Sequence, residues 1–273
     1  APGDRVVIVP NIPGDPSMAE ANPDSPEANY SAGGRFLGSG TDGIAQSVLI
    51  LPDLCVVPIP AEVPEEIAVL AEVSTIAHQA LGRIGHRLGG KRVAVFGDGP
   101  VGYVTAALLR YYYRVPKDRL IVFGVIPEKL ANFEFATCYN VNEYDFTRDG
   151  GKADIAIECT GGRFSSAAIN QAIEMLAYCG VLILLGVTEE LVPINTRDIL
   201  EKGITVFGSS RSSFRDYPPV LGAMRDPAYQ RALRRLVPDQ FARVSTAADF
   251  DQVMRRASEH PHWQKVMMAF DWS

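Results

Sequence analysis

The chain has 273 residues, of which 47% are hydrophobic and 21% are charged, and its formal net charge is -6 at pH 7. This composition is typical of a globular protein with a sizeable core, and the absence of a basic tract argues against nucleic acid as a partner. The sequence contains no run of about 18 apolar residues, so we expect no membrane span.

Four cysteines lie far apart in the sequence and form no CxxC pair: Cys55, Cys138, Cys159 and Cys179. This spacing is typical of reduced, buried thiols and argues against a disulfide framework or a closed zinc site. We therefore expect a cytoplasmic protein. The first residue is not Met and no signal peptide is recognisable, so we expect a trimmed or partial product.

The first 64 residues contain ten of the nineteen prolines and cannot form a doubly wound core. Short strands are predicted at 5–9, 44–51 and 54–59, a pattern typical of part of an all-β domain. The connection at 11–43 is longer than most silent loops, and we expect it to be functional or disordered.

A predicted helix over 64–81, with acidic residues in its first turn, leads into a regular alternation of strands and helices. Strands are predicted at 92–97, 120–124, 153–158, 180–186 and 204–208, and helices at 100–113, 128–135, 165–177 and 196–201. This alternation indicates the α/β class, with a doubly wound parallel sheet and right-handed crossovers. Helices at 216–237 and 247–258 and a final strand at 265–270 are predicted to follow.

The turn between the first of these strands and its helix carries the motif GxGxxG at Gly97, Gly99 and Gly102. In a strand–turn–helix context, the glycines permit a tight turn, close approach of a diphosphate and close helix packing. The helix N-terminus begins with Pro100, which has no N–H group, and offers the N–H groups of Val101 and the residues after it to the anion. The turn therefore predicts a dinucleotide site, with an ordinary glycine-rich turn as the alternative.

The end of the second strand indicates which cofactor is preferred, because NAD-dependent enzymes place Asp or Glu there. Gly124 stands at about that position, where a glycine leaves space for a 2′-phosphate and removes a repelling charge. Lys129 and Arg119 are the nearest cations, although each is also interpretable as a surface charge. We predict NADPH rather than NADH. Asp98, inside the glycine turn, is expected to cap backbone N–H groups.

Motifs along nearly the whole chain resemble the medium-chain dehydrogenase/reductase superfamily. They are GDRVVIVPN, SGTDG at 39–43, AEVSTIAHQAL at 71–81 and FGDGPVG at 96–102. The later stretches IECTGGRFSSAAIN, LILLGV and NTRDILEKGITVFGSSRSS are most similar to ribulose-5-phosphate reductases. Those enzymes make ribitol 5-phosphate for teichoic acid and related cell-surface polymers.

The resemblance implies a Rossmann NADP-binding domain at 76–215, and a GroES-like catalytic domain of which 1–75 and 216–273 would be parts. It implies NADPH, a catalytic zinc, a sugar-phosphate substrate, a homo-oligomer and a cytidylyltransferase partner. The family's Cys and His-Glu zinc ligands lie in a further N-terminal stretch, and only Glu72 falls on a ligand position. We therefore expect the whole protein to reduce D-ribulose 5-phosphate, and this chain alone to be inactive or nearly so.

Further site residues are implied at the ends of the strands and in the helix that begins near Ala71. Thr75 is expected to contact the nicotinamide or a proton relay. The cofactor residues expected after the fourth, fifth and sixth strands are Thr160, Gly161, Gly186, Val187, Ser209, Ser210 and Arg211. Hydroxyls beside a guanidinium suit a phosphate of NADPH or of the substrate. Arg35 is a second candidate for the substrate phosphate, with a surface role as the alternative.

Two other functions stay open at this point. One is a zinc polyol dehydrogenase that acts on a sugar alcohol without phosphate, and the other is a non-catalytic dinucleotide-binding module. His78 is interpreted as a packing residue, and His260 and His262 as surface residues. The tyrosines at 111–113 are interpreted as packing residues or as an oligomer contact.

Overall fold

The computed structural model describes residues 2–14, 29–31, 33–147, 152–259 and 263–271. The chain divides into two compact units, one formed by Ala1–Glu72 with Ser213–Ser273 and the other by Val73–Ser212. His260, His262 and part of the 11–43 connection lie outside the described residues. In the part that is described, no helix combines the length and the apolar character needed to cross a bilayer.

The described strands are β1 (Val6–Ile8), β2 (Asn11–Ile12), β3 (Arg35–Phe36), β4 (Val56–Pro58), β5 (Val93–Phe96), β6 (Leu120–Gly124), β7 (Thr137–Asn140), β8 (Ala153–Glu158), β9 (Leu176–Leu184), β10 (Thr205–Gly208), β11 (Ala242–Val244) and β12 (Met268–Phe270). The described α-helices are α1 (Glu65–Ala68), α2 (Ala71–Gly82), α3 (Pro100–Tyr111), α4 (Pro127–Leu130), α5 (Ser165–Met175), α6 (Thr196–Lys202), α7 (Tyr217–Ala223), α8 (Pro227–Arg234) and α9 (Ala247–Glu259).

The second unit is built on a six-stranded sheet in the order β10-β9-β8-β5-β6-β7, and every pairing in it is parallel. The five strands predicted for this sheet all form, so the doubly wound prediction is confirmed. The sixth strand, β7, was not predicted because TCYN is short and carries no apolar run. The strand order reverses at β5, which has β6 on one side and β8 on the other.

The centre of this sheet is buried on both faces. All four residues of β5 are buried, and all five of β6. On one face Phe96 stacks on Phe123 with 4.7 Å between ring centroids, next to buried residues of α5. Tyr103 of α3 packs edge-on against Phe133. Burial of each such side chain contributes about 1.5–3 kcal/mol to the free energy of folding. The strand ends are therefore held in place by a well-packed core.

The described residues of the first unit form three small two-stranded sheets. The pairs β1–β4 and β2–β3 are antiparallel, whereas β11–β12 is parallel. The prediction of a strand at 44–51 is wrong, since this segment has no regular structure and exposes Val48 by 74% and Ile50 by 95%. An apolar run becomes a strand only where another backbone pairs with it, and no described segment does so here.

Two predicted helices are each divided in the structure. The helix predicted at 64–81 forms α1 and α2, and the one predicted at 216–237 forms α7 and α8. The second break has a local cause, because Asp226 precedes Pro227 and is restricted to an extended backbone. Its side chain then accepts the Ala228 N–H at 2.8 Å and begins α8.

The four cysteines are free thiols, but the prediction that all of them are buried holds fully for only two. Cys55 and Cys159 are buried, Cys138 is half-buried and Cys179 is exposed. Cys179 has a φ of 58° and lies in β9 where the pairing with β8 shifts register. A bulge of this kind turns a side chain out of the strand pattern.

Candidate cofactor site at the carboxyl end of the sheet

The site lies where the strand order reverses. In an open parallel sheet, ligands bind beyond the carboxyl ends of the strands at this point. The turns that follow β5, β6, β8, β9 and β10 all leave this edge of the sheet because the strands are parallel. These turns, with the strand ends and the first helical turns next to them, carry every cofactor residue predicted from the sequence.

The three glycines of the turn after β5 differ in what the fold requires of them. A Cβ on Gly102 would lie 2.0 Å from the Gly97 carbonyl oxygen, so helix α3 cannot approach the turn without this glycine. Gly97 has a φ of 130°, and its Cβ would lie 3.0 Å from the Cys159 backbone. Gly99 has an ordinary extended backbone and nothing within 4 Å of the same position. The fold therefore requires two of the glycines and leaves open space at the third.

Helix α3 begins directly at this open space. Pro100 occupies its first turn, where a missing N–H is not costly, and the Gly99 carbonyl accepts the Tyr103 N–H at 2.9 Å. The N–H groups of Val101 and Gly102 belong to the first turn, which has no acceptor within the helix. An anion near Gly99 would meet these N–H groups and the positive end of the helix dipole.

Asp98 ties the glycine turn to the end of the neighbouring strand. Its Oδ2 accepts the N–H groups of Val125 and Ile126, each at 2.8 Å, so the predicted capping role is confirmed. A Cβ on Gly124 would lie 2.5 Å from the Asp98 Cβ and 2.8 Å from a methyl carbon of Leu130. The glycine at 124 is thus needed to make room for Asp98, which occupies the space that the sequence predicted to be empty.

The two candidate cations after this strand have different positions. Lys129 is half-buried on α4, in the segment that follows Gly124. Arg119 precedes β6 and donates from Nη1 to the Gly90 carbonyl, which places it at the opposite, amino end of the sheet. Arg119 therefore does not belong to this site, and Lys129 stays a prediction.

Glu158 is a residue of this site to which the sequence assigned no role. It ends β8 with no exposed surface, and its carboxylate accepts three backbone N–H groups. Oε1 accepts those of Thr160 at 2.8 Å and Gly161 at 3.0 Å, and Oε2 accepts that of Gly186 at 3.1 Å. A Cβ on Gly186 would lie 2.5 Å from both oxygens. One buried carboxylate thus joins the turns after β8 and β9.

The same two turns also meet through their backbones. The Gly162 N–H donates to the Val187 carbonyl at 2.7 Å, and a Cβ on Gly161 would lie 3.0 Å from that carbonyl oxygen. Gly161 has a φ of 67°, which favours glycine. Val187 is 80% exposed beside this contact. The predicted residues after β8 and β9 therefore form one continuous surface.

A polar stripe on α2 faces the segment after β10. The Thr75 and Ser212 hydroxyls are 2.8 Å apart, and the Ser209 hydroxyl donates to Gln79 Oε1. One turn further, Arg83 Nη1 donates to the carbonyl at position 208 at 2.9 Å. Residues 75, 79 and 83 share a helix face because they are four apart. Sequence reasoning missed Gln79 and Ser212, which only this pairing identifies.

The residues after β10 that are predicted to bind a phosphate differ in their exposure. The Ser209 side chain is buried and bonded to Gln79, whereas Ser210 and Arg211 are exposed. Arg211 has a φ of 60°, a left-handed conformation that costs about 1–2 kcal/mol for a residue with a Cβ. Strain of this kind is common at functional sites. Of the three, Ser210 and Arg211 are the exposed residues.

The first unit contains the one residue predicted to bind metal. Glu72 lines a cavity of about 670 Å³ together with Phe36, Leu37 and other mostly apolar residues. Burial raises the pKa of its carboxyl group, and Lys265 opposes that effect. Of residues 35–37, Arg35 does not line the cavity, and its side chain is exposed on β3. No group of three His, Cys, Asp or Glu side chains within the described ranges is placed to hold a metal ion.

Comparisons with known proteins agree with this arrangement. Residues 116–226 match the family model described as zinc-binding dehydrogenase. The chain is 37% identical to ribulose-5-phosphate reductase 1 of Staphylococcus aureus over 222 residues, which is 80% of this chain and 62% of that protein. It is also 37% identical to the ribulose-5-phosphate reductase of Bacillus spizizenii over 218 residues, or 79% of this chain and 61% of that protein.

Among solved structures, that of S. aureus TarJ in complex with NADPH superposes with a TM-score of 0.76 at 33% identity. The match covers 85% of this chain and 72% of that chain. The chain spans less than two thirds of the length of the two curated reductases it matches. Because the match to TarJ is 33% identical and covers 72% of that chain, and because the family model matches residues 116–226, the chain belongs to the zinc-type medium-chain dehydrogenase family.

Proposed function

We propose that the whole protein reduces D-ribulose 5-phosphate to D-ribitol 5-phosphate with NADPH, and that Val73–Ser212 is its cofactor-binding unit. The names of the curated relatives and the TarJ–NADPH complex support this proposal. The observation that carries it is the open space at Gly99, between two glycines that the fold itself requires. A glycine that folding does not need is explained by a ligand that approaches its backbone.

The residues of this chain would bind and orient the cofactor. The first turn of α3 would hold the diphosphate next to Gly99, and the turns at 160–162 and 186–187 would present backbone groups to the nicotinamide. When bound, NADPH supplies the hydride that adds to the C2 carbonyl carbon of the substrate. The Thr75–Ser212 hydroxyl pair holds a proton between two buried oxygen atoms, which agrees with the relay role predicted for Thr75.

Zinc is the family's usual Lewis acid, and the described residues do not form a site for it. A tetrahedral zinc site takes four ligands, whereas the described part of the chain offers Glu72 without two further His, Cys, Asp or Glu partners. Glu72 therefore stays a prediction as a single ligand.

The substrate phosphate has two candidate partners, in different units. Arg35 is exposed on β3 of the first unit, and Arg211 is exposed after β10 of the second. An arginine can bind phosphate with two parallel hydrogen bonds. Replacing Arg35 by Ala is expected to raise the KM for ribulose 5-phosphate and to leave NADPH affinity unchanged. An unchanged KM would remove Arg35 from the site.

Assembly and location are further parts of the proposal. Leu191 is fully exposed and Leu200 is 80% exposed on the second unit, which makes each a candidate contact for the homo-oligomer that the family resemblance implies. A cytoplasmic location and a cytidylyltransferase partner follow from the family resemblance. Size-exclusion chromatography with light scattering, with and without Leu191→Glu, tests the oligomer.

The test of the function is NADPH binding by Gly99→Ala, measured by calorimetric titration. We expect NADPH affinity to fall about tenfold or more while the melting temperature stays unchanged, since the added methyl group meets nothing in the protein. Gly89→Ala is the matched control, because its Cβ also meets nothing within 4 Å. Equal affinities of Gly99→Ala and the parent chain would contradict the diphosphate site.

Turnover separates the substrate classes. The protein extended to the full length of its relatives should oxidise ribitol 5-phosphate with NADP and leave ribitol unchanged. Activity with ribitol alone would instead favour a polyol dehydrogenase. Tight NADPH binding without turnover, even in the extended protein, would favour a non-catalytic binding module.

A further inference from the structure

The glycine turn and the end of β6 fit together through one side chain. The Asp98 carboxylate lies over Gly124 and uses a single oxygen, Oδ2, to accept the N–H groups of Val125 and Ile126. Those two residues connect Gly124 to helix α4, on which Lys129 lies. Asp98 therefore fixes the backbone that leads from the strand end to the candidate phosphate-binding lysine.

A side chain at 124 and the side chain of Asp98 exclude each other. The Cβ of any residue at 124 would lie 2.5 Å from the Asp98 Cβ and 2.7 Å from Oδ2. The Cβ of Asp98 is attached to the backbone of the glycine turn, so it cannot move away by a simple rotation. Room for an acid at the strand end exists only when the acid at 98 is gone.

We propose that Asp98 and Gly124 act as a pair that sets cofactor choice, with Asp98 as a positioning residue in place of the usual strand-end acid. This inference rests on the proposed function. An acid at the strand end accepts from the ribose 2′-OH and repels a 2′-phosphate. In this chain the acid comes from the glycine turn, and it is directed at two backbone N–H groups. Its charge is thereby partly compensated, and the 125–129 segment is held for a phosphate.

The pair makes a specific prediction about exchanging the cofactor. Gly124→Asp alone should bind both NADPH and NADH about tenfold more weakly or worse and should melt at a lower temperature, because two side chains compete for one space. The double variant Asp98→Gly with Gly124→Asp should recover part of the lost melting temperature, since only the close contact with the Leu130 methyl group would remain, and should prefer NADH. Calorimetric titration with each nucleotide and a thermal melt measure these outcomes.

Single variants at 98 test the positioning role. Asp98→Ala should weaken binding of adenosine 2′,5′-bisphosphate by about tenfold, whereas Asp98→Asn keeps an acceptor oxygen and should stay within about twofold of the parent chain. Asp154→Ala is the control in the same unit, since Asp154 accepts the Arg92 N–H at 2.9 Å at the opposite end of the sheet. Asp154→Ala should leave the affinities for NADPH and for adenosine 2′,5′-bisphosphate unchanged.

Two results would overturn the pair while leaving the proposed function intact. One is a Gly124→Asp variant that prefers NADH without any loss of affinity or stability. The other is an Asp98→Ala variant that binds adenosine 2′,5′-bisphosphate as the parent chain does. A parent chain that binds neither NADPH nor NADH would instead overturn both the pair and the proposed function.

Discussion

At the same edge of the sheet, the carboxylates of Asp98 and Glu158 both accept backbone N–H groups, but the two side chains differ in burial. Asp98 lies over Gly124 and accepts two backbone N–H groups, whereas Glu158 lies against Gly186 and accepts three. Each glycine has no room for a Cβ because the carboxylate takes that space. Asp98 is half-buried, and Glu158 has no exposed surface. A glycine at or near a strand end can therefore be required by a neighbouring acid rather than by a ligand.

Because Asp98 and Glu158 differ in burial, we expect their removal to lower the free energy of unfolding by different amounts. A donor that loses its partner at the surface bonds to water instead, but a buried donor does not. Removal of Glu158 should therefore damage the fold far more than removal of Asp98. It should also affect the turns at 160–162 and 186–187, while removal of Asp98 should affect the segment at 125–129.

The largest expected effect is that of Glu158→Gln, which keeps the shape of the side chain. Its amide group would turn an N–H donor towards an N–H donor of Gly186 or of the Thr160 turn, so we expect a loss of about 2–4 kcal/mol in the free energy of unfolding. NADPH affinity should fall while adenosine 2′,5′-bisphosphate affinity is retained. Denaturant titration and calorimetry measure the two quantities.

The control for this variant is Glu143→Gln, since Glu143 is exposed. It should change neither quantity. We call Glu158 the buried clamp because its one carboxylate joins the turns after β8 and β9. For Asp98→Ala we expect a loss of about 1 kcal/mol in the free energy of unfolding. A Glu158→Gln variant that lost no more than this would contradict the role of Glu158 as a buried clamp.

A smaller effect is expected at the third turn of this edge, after β10. In the turn after β8, which Glu158 holds, the residues with a positive φ are Gly161 and Gly162. In the turn after β10 it is Arg211, with a φ of 60°. Arg211→Gly should raise the free energy of unfolding by about 0.5–1 kcal/mol, since it relieves a left-handed conformation. It should also weaken NADPH or substrate binding. Denaturant titration and calorimetry with each ligand separate the two effects.

Arg114→Gly is the matched control for this substitution, because Arg114 also has a φ of 60° but follows helix α3 at its far end. It should gain similar stability with no change in ligand affinity. If both variants instead lost stability, the left-handed backbone at these two positions would not be a source of strain.

Much of the second unit could be predicted from the sequence, because a buried parallel strand is a continuous apolar run and the glycine turn is a local pattern. The edge strand β7 has neither signal and depends on pairing with β6. The divided helices depend on local capping and on Pro227. The false strand at 44–51 shows that an apolar run does not specify a partner.

The candidate site was predictable only in part, and for a related reason. Backbone positions such as Gly97 and Gly102 follow from a motif, but the reason for Gly124 lies in Asp98, 26 residues earlier in the chain. Glu158 could have been found as an acid that ends an apolar strand directly before a glycine turn. Gln79 and Ser212 had no such signal, since their roles arise from a contact between distant segments.

The smallest expected effect uses Cys159, the residue after Glu158, as a reporter of the buried clamp. Burial raises the pKa of its thiol to about 12, with a bond to Thr105 opposing this and the charge of Glu158 adding to it. Because the thiolate is the reactive form, the thiol should stay almost inert at pH 8 and its reaction with iodoacetamide should accelerate as pH rises towards 12. Exposed Cys179 should react first and serves as the internal reference.

The same reporter distinguishes the two carboxylates directly. Glu158→Gln should speed the alkylation of Cys159 at pH 8, since loosened turns admit the reagent more often, while Asp98→Ala should leave the rate unchanged. Mass spectrometry of the modified peptides gives both rates in one sample, relative to Cys179. Equal acceleration in the two variants would mean that both acids hold one common structure, and the separation into two independent clamps would fail.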